Sequence, residues 1–326
     1  MPAPPTGSTG RAPDERERDV PLATSAENRA TRVRAISEDE RDAWCVCTFG
    51  ADDPEREDRI AAERSWLARW HPTTHNVFAL VDGDGRFLGR YDVPFESPDG
   101  WRLWAPSVHP DVGAPGLAAL CRHVVAASGA RGMPRVEVIL EGTHRQFELA
   151  RDALSAVGFR TIEAKVISER DLSAPLPEPA SAGLRFVPAA TLPAARFARL
   201  CAEAGMTEEE VREVPLDAPE ASRWIVALHG DEAVGVALLE SIDAEAGIVT
   251  CRHVGVRAPR RGRGYGRALL ARALQSARDA GAKRYLDSTE RANDPMRALF
   301  RSSGFVDLGE RLVFELRRPS EKVPEK

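Results

Sequence analysis

The sequence predicts an α/β (α+β) protein built of two similar halves in tandem. The same order of segments is read twice along the 326 residues. That order is a strand hairpin, an apolar strand, a glycine-containing loop, a helix, a short strand, a second helix and a closing strand. Between the two readings lies "SAPLPEPASAG" (173–183), with three prolines, small residues and no aromatic, the composition of an interdomain linker. Length agrees, because domains run to roughly 100–200 residues each.

Each element has its own signal. Residues 1 to 30, and the end "RRPSEKVPEK", are polar and poor in large apolar groups, so disordered tails are expected there. The hairpins are "HNVFALVDGDGRFLGRYDV", turning at Asp82–Gly85, and "SRWIVALHGDEAVGVALLE", turning at His229–Glu232. "DGDG" lacks the later ligands of a calcium loop and reads as a turn. The strands "WRLWAPSVHP" and "GIVTCRHVGVRAP" come next. The helices "GLAALCRHVVAASGARG" and "GRALLARALQSARDAGA" follow their loops. In the second helix, Leu269, Leu270, Ala273, Leu274 and Ala277 recur at helical spacing and Gly281 ends the run. Short strands ("RVEVIL", "RYLDS"), helices ("HRQFELARDALSAVGF", "NDPMRALFRSSGF") and final strands ("TIEAKVISERDL", "GERLVFEL") complete the halves. Gly116 aligns with Gly266, and Gly158 with Gly304, a duplication at about half the chain length.

Composition narrows the function. A net charge of −5 and a pI near 5.9 argue against general nucleic-acid binding. No apolar run is long enough for a membrane span, and the N-terminus lacks the apolar core of a secretory signal. The five scattered cysteines fit unpaired thiols and a cytoplasmic location. "CVC" (Cys45, Cys47) is too tightly spaced for two zinc ligands, and Pro72 interrupts "HPTTH", so no metal is expected.

Positive charge is concentrated in "PRRGRGYGR" (259–267). Gly262, Gly264 and Gly266 lie between a strand end and a helix start. Glycine lets backbone turn sharply and approach a ligand closely. The first helix amides lack intrahelical acceptors and carry the positive end of the helix dipole, which suits phosphate. Arginines add two-pronged phosphate contacts. The run lacks the Gly-Lys-Ser/Thr of a Walker loop, and its Gly-x-Gly-x-Gly spacing is not that of a dinucleotide loop.

Strand–"RRGRGYG"–helix resembles the acyl-coenzyme A signature of the GNAT superfamily of N-acetyltransferases, Arg/Gln-x-x-Gly-x-Gly/Ala, through Arg261, Gly264 and Gly266. A second element, Asn then an aromatic seven residues on and Gly-Phe, is matched by Asn293, Phe300, Gly304 and Phe305. The resemblance implies two tandem domains, each a mixed, mostly antiparallel twisted sheet flanked by helices. It covers 183–318 well, as an acyl-coenzyme A-binding domain, and 31–172 in outline, as a degenerate copy; residues 173–182 form the linker and 319–326 a tail.

The resemblance also assigns roles. It places a coenzyme A pyrophosphate over Arg261, Gly262, Arg263, Gly264, Tyr265, Gly266 and Arg267. The pantetheine arm runs beside Val254, Gly255 and Val256, with Asn293 contacting it. The amide near Val256 would hold the oxyanion. The reaction implied is direct transfer of an acyl group, probably the wrong word for which would be any other than acetyl, from acetyl-CoA to a primary amine. The amine must lose a proton, and His253 and Glu240 are candidate bases, Glu290 a further one. The family's usual tyrosine acid is replaced by Phe300, for which water or Ser288 could substitute. Cys251 reads as a structural thiol. In the first half the loop "HPDVGAPGLAAL" has Asp111, no arginine, and Pro115, which removes an amide donor; Leu154 stands where Phe300 stands. Loss of coenzyme A binding is expected there. The expected partner is a small-molecule amine, with the chain a monomer or homodimer. The alternatives are a coenzyme A-binding regulatory module and a protein N-acetyltransferase.

Overall fold

A computed structural model describes residues 31–71, 73–179, 183–244 and 246–318. The expected tails, Pro72 and the last residues of the linker lie outside them. The chain divides into two compact units. One comprises residues up to 140 together with 146–160 and 314 onward, the other 141–145 and 161–313. The closing strand at 160–171, read with the first half of the sequence, is thus almost entirely part of the second unit.

The first unit runs β1 (Arg32–Ala35), α1 (Arg41–Val46), α2 (Arg56–Trp70), β2 (Val77–Val81), β3 (Phe87–Asp92), β4 (Phe95–Ser97), β5 (Gly100–Trp104), β6 (Ser107–Val108), α3 (Gly113–Ala130), β7 (Arg135–Glu141) and α4 (Phe147–Ala156). Its strands are ordered β1-β2-β3-β6 and β4-β5-β7. The expected hairpin is β2–β3, antiparallel. The single strand expected over "WRLWAPSVHP" is two. β5 pairs with β7 and β6 with β3, because the chain changes partner at Ala105 and Pro106.

The second unit runs β8 (Arg160–Asp171), β9 (Leu184–Pro188), α5 (Ala194–Ala204), α6 (Glu208–Arg212), β10 (Ile225–His229), β11 (Glu232–Asp243), β12 (Ile248–Val256), α7 (Tyr265–Asp279), β13 (Arg284–Glu290), α8 (Asp294–Ser302) and β14 (Val306–Arg317). The strand order is β14-β8-β13-β12-β11-β10-β9. The pairs from β8 to β9 are antiparallel except β12–β13, which is parallel.

Two cores hold this sheet. The inward stripe of α7 (Leu269, Leu270, Ala273, Leu274) packs with Tyr285, Phe300 and Phe305 on one face. Phe197, Leu200 and Ala204 of α5 pack with Trp224, Val226 and Leu238 on the other. Each fully buried side chain of this size contributes about 1.5–3 kcal/mol of transfer free energy. Gly281, at φ 88°, follows the last turn of α7, as its sequence position implies.

Candidate functional site

β12 and β13 pair only at Ile248–Arg284 and Val249–Tyr285. Beyond these pairs β12 stays bonded to β11 as far as Val256, while β13 stays bonded to β8. The two parallel strands therefore part. A bulge contributes: Leu238 pairs with His253 and Leu239 with Cys251, leaving Arg252 as the extra residue. An extra residue bends its strand.

The loop after β12 is shaped by Gly262 (φ 75°) and Gly264 (φ 79°), both in the left-handed region that favours glycine. Gly264 is the N-cap of α7, and no side chain caps that helix. The first amides of α7 are therefore without an intrahelical acceptor. A Cβ built at Gly262 or Gly264 would meet nothing within 4 Å, so the space beside the loop is open. Arg261 folds back and donates its Nε–H to the Val256 carbonyl at 2.9 Å, tying loop to strand. Arg260 and Arg257 pair with Glu232. Arg263 and Arg267 pair with no acidic side chain among the described residues.

An open groove of about 810 Å³ runs from this loop along β12 to the start of α8. Val254, Gly255, Val256, Arg261, Gly262, Gly264, Tyr265, Gly266, Arg267 and Asn293 line it, as does His253; Arg263 is not in its wall. Asn293 is the N-cap of α8, its Oδ1 accepting from the Met296 amide at 3.2 Å. A group expected to touch a ligand thus also starts a helix.

His253 sits at the inner part of the groove beside Ala204 and Gly205. Burial lowers its pKa, and the Ala204 carbonyl and the Glu210 carboxylate only partly offset that. The ring is therefore neutral near pH 7. Glu210 belongs to the capping box of α6. Thr207 N–H donates to its carboxylate at 2.7 Å, and its own amide donates to Thr207 Oγ1 at 3.2 Å.

Glu240 lies elsewhere. It faces Arg252 at 3.6 Å and lines a separate cavity with Glu213 and Arg252. Ser288, on β13, is not in the wall of the groove, and Glu290 is exposed at the end of that strand. Phe300 is 1% exposed and stacks on Phe305 with ring centroids 4.6 Å apart. Cys251 is buried, and burial pushes its thiol well up, out of the nucleophilic range.

One acid was not singled out from sequence. Asp287 follows the last β12–β13 pair by two residues, so the parallel register sets it across the gap from Cys251. Burial raises its carboxyl to about 7, against the lowering effect of the Ser288 amide, 2.7 Å away, and of Tyr285. Strand alternation from Tyr285, a core residue, was the available signal: 287, not 288, shares its face.

The first unit offers no matching loop. Gly116, aligned with Gly266, is buried within α3. A Cβ there would collide with Val112 and stand 3.2 Å from Leu80 and 3.3 Å from Val108. At Gly266 the nearest such contacts are 3.9 Å. Among the described residues, no group of three or more His, Cys, Asp or Glu could hold a metal ion, and no helix is long and apolar enough to cross a membrane.

Residues 194–305 match the model of the acetyltransferase (GNAT) family. No curated protein matches the chain. Among solved structures, a GCN5-related N-acetyltransferase from Sphaerobacter thermophilus is 21% identical, with a TM-score of 0.63 over 89% of this chain and 96% of that one. A tandem GNAT protein from the clavulanic acid biosynthesis pathway is 17% identical, with a TM-score of 0.53 over 89% of this chain and all of that one (100%). A GCN5-related glucosamine N-acetyltransferase region of a fungal multi-domain GH3 β-N-acetylglucosaminidase is 17% identical. Its TM-score is 0.59 over 90% of this chain, which spans 39% of that protein. At these identities the likeness is one of fold. Residues 194–305 therefore form an acetyltransferase domain of the GNAT family, within a chain that has the fold of a tandem GNAT protein.

Proposed function

We propose that the protein is an acyl-CoA-dependent N-acyltransferase that moves an acetyl group from acetyl-CoA to a primary amine of a small molecule, in the second unit. The observation that carries this reading is the groove joining the uncapped amides of α7 to β12. Its anionic end suits a pyrophosphate, with Arg267 beside it. Its walls along Val254–Val256 offer backbone to an extended arm. The first unit, whose α3 start is closed by Val112, is a degenerate copy in this reading.

The chemistry is direct attack of a neutral amine on the thioester carbonyl. A lysine-like amine has a pKa near 10.4, so a base is needed at pH 7. Of the sequence candidates, His253 is the one in the groove wall and is kept neutral by burial. Glu208, Glu209 and Glu210 of α6 add negative charge on that side, which favours a cationic acceptor. The buried, unpaired cysteines suit a reducing cytoplasm.

The test is thermal stability with and without acetyl-CoA, followed by a panel of amines. At about 100 times its dissociation constant a ligand stabilises the folded state by about 2.7 kcal/mol. An upward shift in the wild type that Arg261→Ala plus Gly264→Glu lacks supports the reading; no shift in the wild type rejects it. Burial of Phe300 in the core, where a hydroxyl donor is expected, favours a second reading: a coenzyme A-binding module without turnover. Turnover of any amine rejects that one, and turnover confined to peptides would mark a protein N-acetyltransferase.

A further inference from the structure

The groove needs a proton donor at its inner end, and the sequence replaces the expected phenol by Phe300, sealed in the core. His253 is the innermost β12 residue in the groove wall. Cys251, two residues further in, stands across the strand gap from Asp287. At about 3.3 Å per strand residue, that acid lies about 7 Å beyond His253 along β12. A molecule anchored by its phosphates at the α7 amides and extended along Val256 to Val254 therefore points its far end at this gap.

Asp287 is built into that place rather than left on a surface. Its carboxylate accepts the Ser288 amide at 2.7 Å. The fully buried Tyr285 hydroxyl lies against it and Cys251, and Lys165 of β8 is the charged group that faces it. Yet the residue keeps partial exposure, so it is reachable.

We propose that Asp287 is the general acid that protonates the sulfur leaving group. The inference rests on the acetyltransferase reading above. The amine nitrogen forms a bond to the thioester carbonyl carbon, the carbon–sulfur bond breaks, and its electron pair leaves on sulfur. The Asp287 proton passes to that sulfur, giving the thiol of coenzyme A. The carboxylate regains a proton from the attacking nitrogen, directly or through water, so the cycle closes without another reactant. Burial keeps part of the carboxyl population protonated near neutral pH, as a donor requires.

Coenzyme A itself is the probe, and no acceptor is needed. An ordinary thiol titrates near 8.5. Bound to the wild type beside a carboxylate, the thiol should ionise at least one unit higher than in free coenzyme A, followed by the ultraviolet absorbance of the thiolate. That is a tenfold change in its acid dissociation constant. Asp287→Asn should bring the bound thiol back towards the free value, and Asp287→Glu should keep most of the shift. A wild-type bound thiol that titrates like free coenzyme A overturns the proposal, whether or not Asp287→Asn folds. Calorimetry on the same samples separates the two readings. Binding with an unshifted thiol rejects Asp287 alone, whereas absence of binding by coenzyme A and acetyl-CoA rejects the function as well.

Discussion

Arg261 donates its Nε–H to the carbonyl of Val256, 2.9 Å away, so the first arginine of the motif braces the loop against the end of β12. This bond uses one nitrogen of the guanidinium, and the residue also lines the groove. Arg261→Ala should lower the stability of the unliganded protein by about 1 kcal/mol, the usual net value of such a bond. Acetyl-CoA affinity should fall by about tenfold or more, reflecting loss of a charge-assisted contact worth about twice a neutral one. Arg261→Lys restores charge but not the planar donor, so it should recover some affinity and little of the stability. Urea denaturation and titration calorimetry read the two effects separately.

Gly255 and Gly264 should fail in different ways when changed to alanine. A Cβ at Gly255 would stand 2.6 Å from the Ala204 carbonyl oxygen and collide with the His253 ring, so α5 or the histidine must shift. Overpacking of that kind costs about 1–3 kcal/mol. A Cβ at Gly264 meets open space, and its cost is the left-handed backbone alone, about 1–2 kcal/mol. It would nonetheless stand beside the α7 amides. Gly264→Ala should therefore lose acetyl-CoA affinity by more than its loss of stability, and Gly255→Ala should show the reverse. Denaturation curves with and without acetyl-CoA decide between these patterns.

The loop was legible in sequence because its chemistry is local. Glycines that permit a turn, amides at a helix start and arginines within one stretch of nine residues need no knowledge of distant chain. The hairpins and α7 were legible for the same reason. What lay between strands was not. Cys251 and His253 are two residues apart and should share a face, but the bulge at Arg252 resets the alternation. Cys251 joins the core under α7, while His253 turns to Ala204 on α5. The partners that set a proton affinity came from β13, α5 and α6, far along the chain. Hence Ser288 was read in place of Asp287, and Glu240 was grouped with His253 although it lines another cavity. The helix pairs preceding each hairpin carried no motif and were passed over, although Phe197, Leu200, Cys201 and Ala204 fall at helical spacing.

In the first unit, Arg34 grips Glu40 with both guanidinium nitrogens, at 2.7 and 2.6 Å, and the Ser37 amide adds a third bond at 2.9 Å. The hydrogen bonds from Arg34 bring the Glu40 carboxyl down to about 2 from its ordinary 4.5. A carboxylate depressed by folding contributes stability above its unfolded pKa and loses it as pH falls through the folded one. Stability should therefore decline between about pH 4.5 and about pH 2 from this pair, by about 1–2 kcal/mol after screening of a partly exposed site. Glu40→Gln should be less stable at pH 7 and should lack this part of the decline. Urea midpoints measured across that range check it.

His253 carries the opposite kind of titration, since it is a base whose charged form is disfavoured. Burial lowers its pKa beneath 6.5, with Arg261 adding to the effect and the Ala204 carbonyl and Glu210 opposing it. A histidine held neutral by folding takes up its proton more readily when unfolded. It therefore contributes stability above about pH 6.5, and that contribution is lost as pH falls through 6.5 towards the folded value. His253→Gln keeps a polar group but cannot titrate, so it should flatten the stability profile just below pH 6.5. If His253 is the base, the same substitution should cut turnover by about 100-fold or more at pH 7. It should leave acetyl-CoA affinity nearly unchanged, because the phosphate end of the groove does not depend on the ring. Loss of affinity equal to the loss of turnover would make His253 part of the groove wall only.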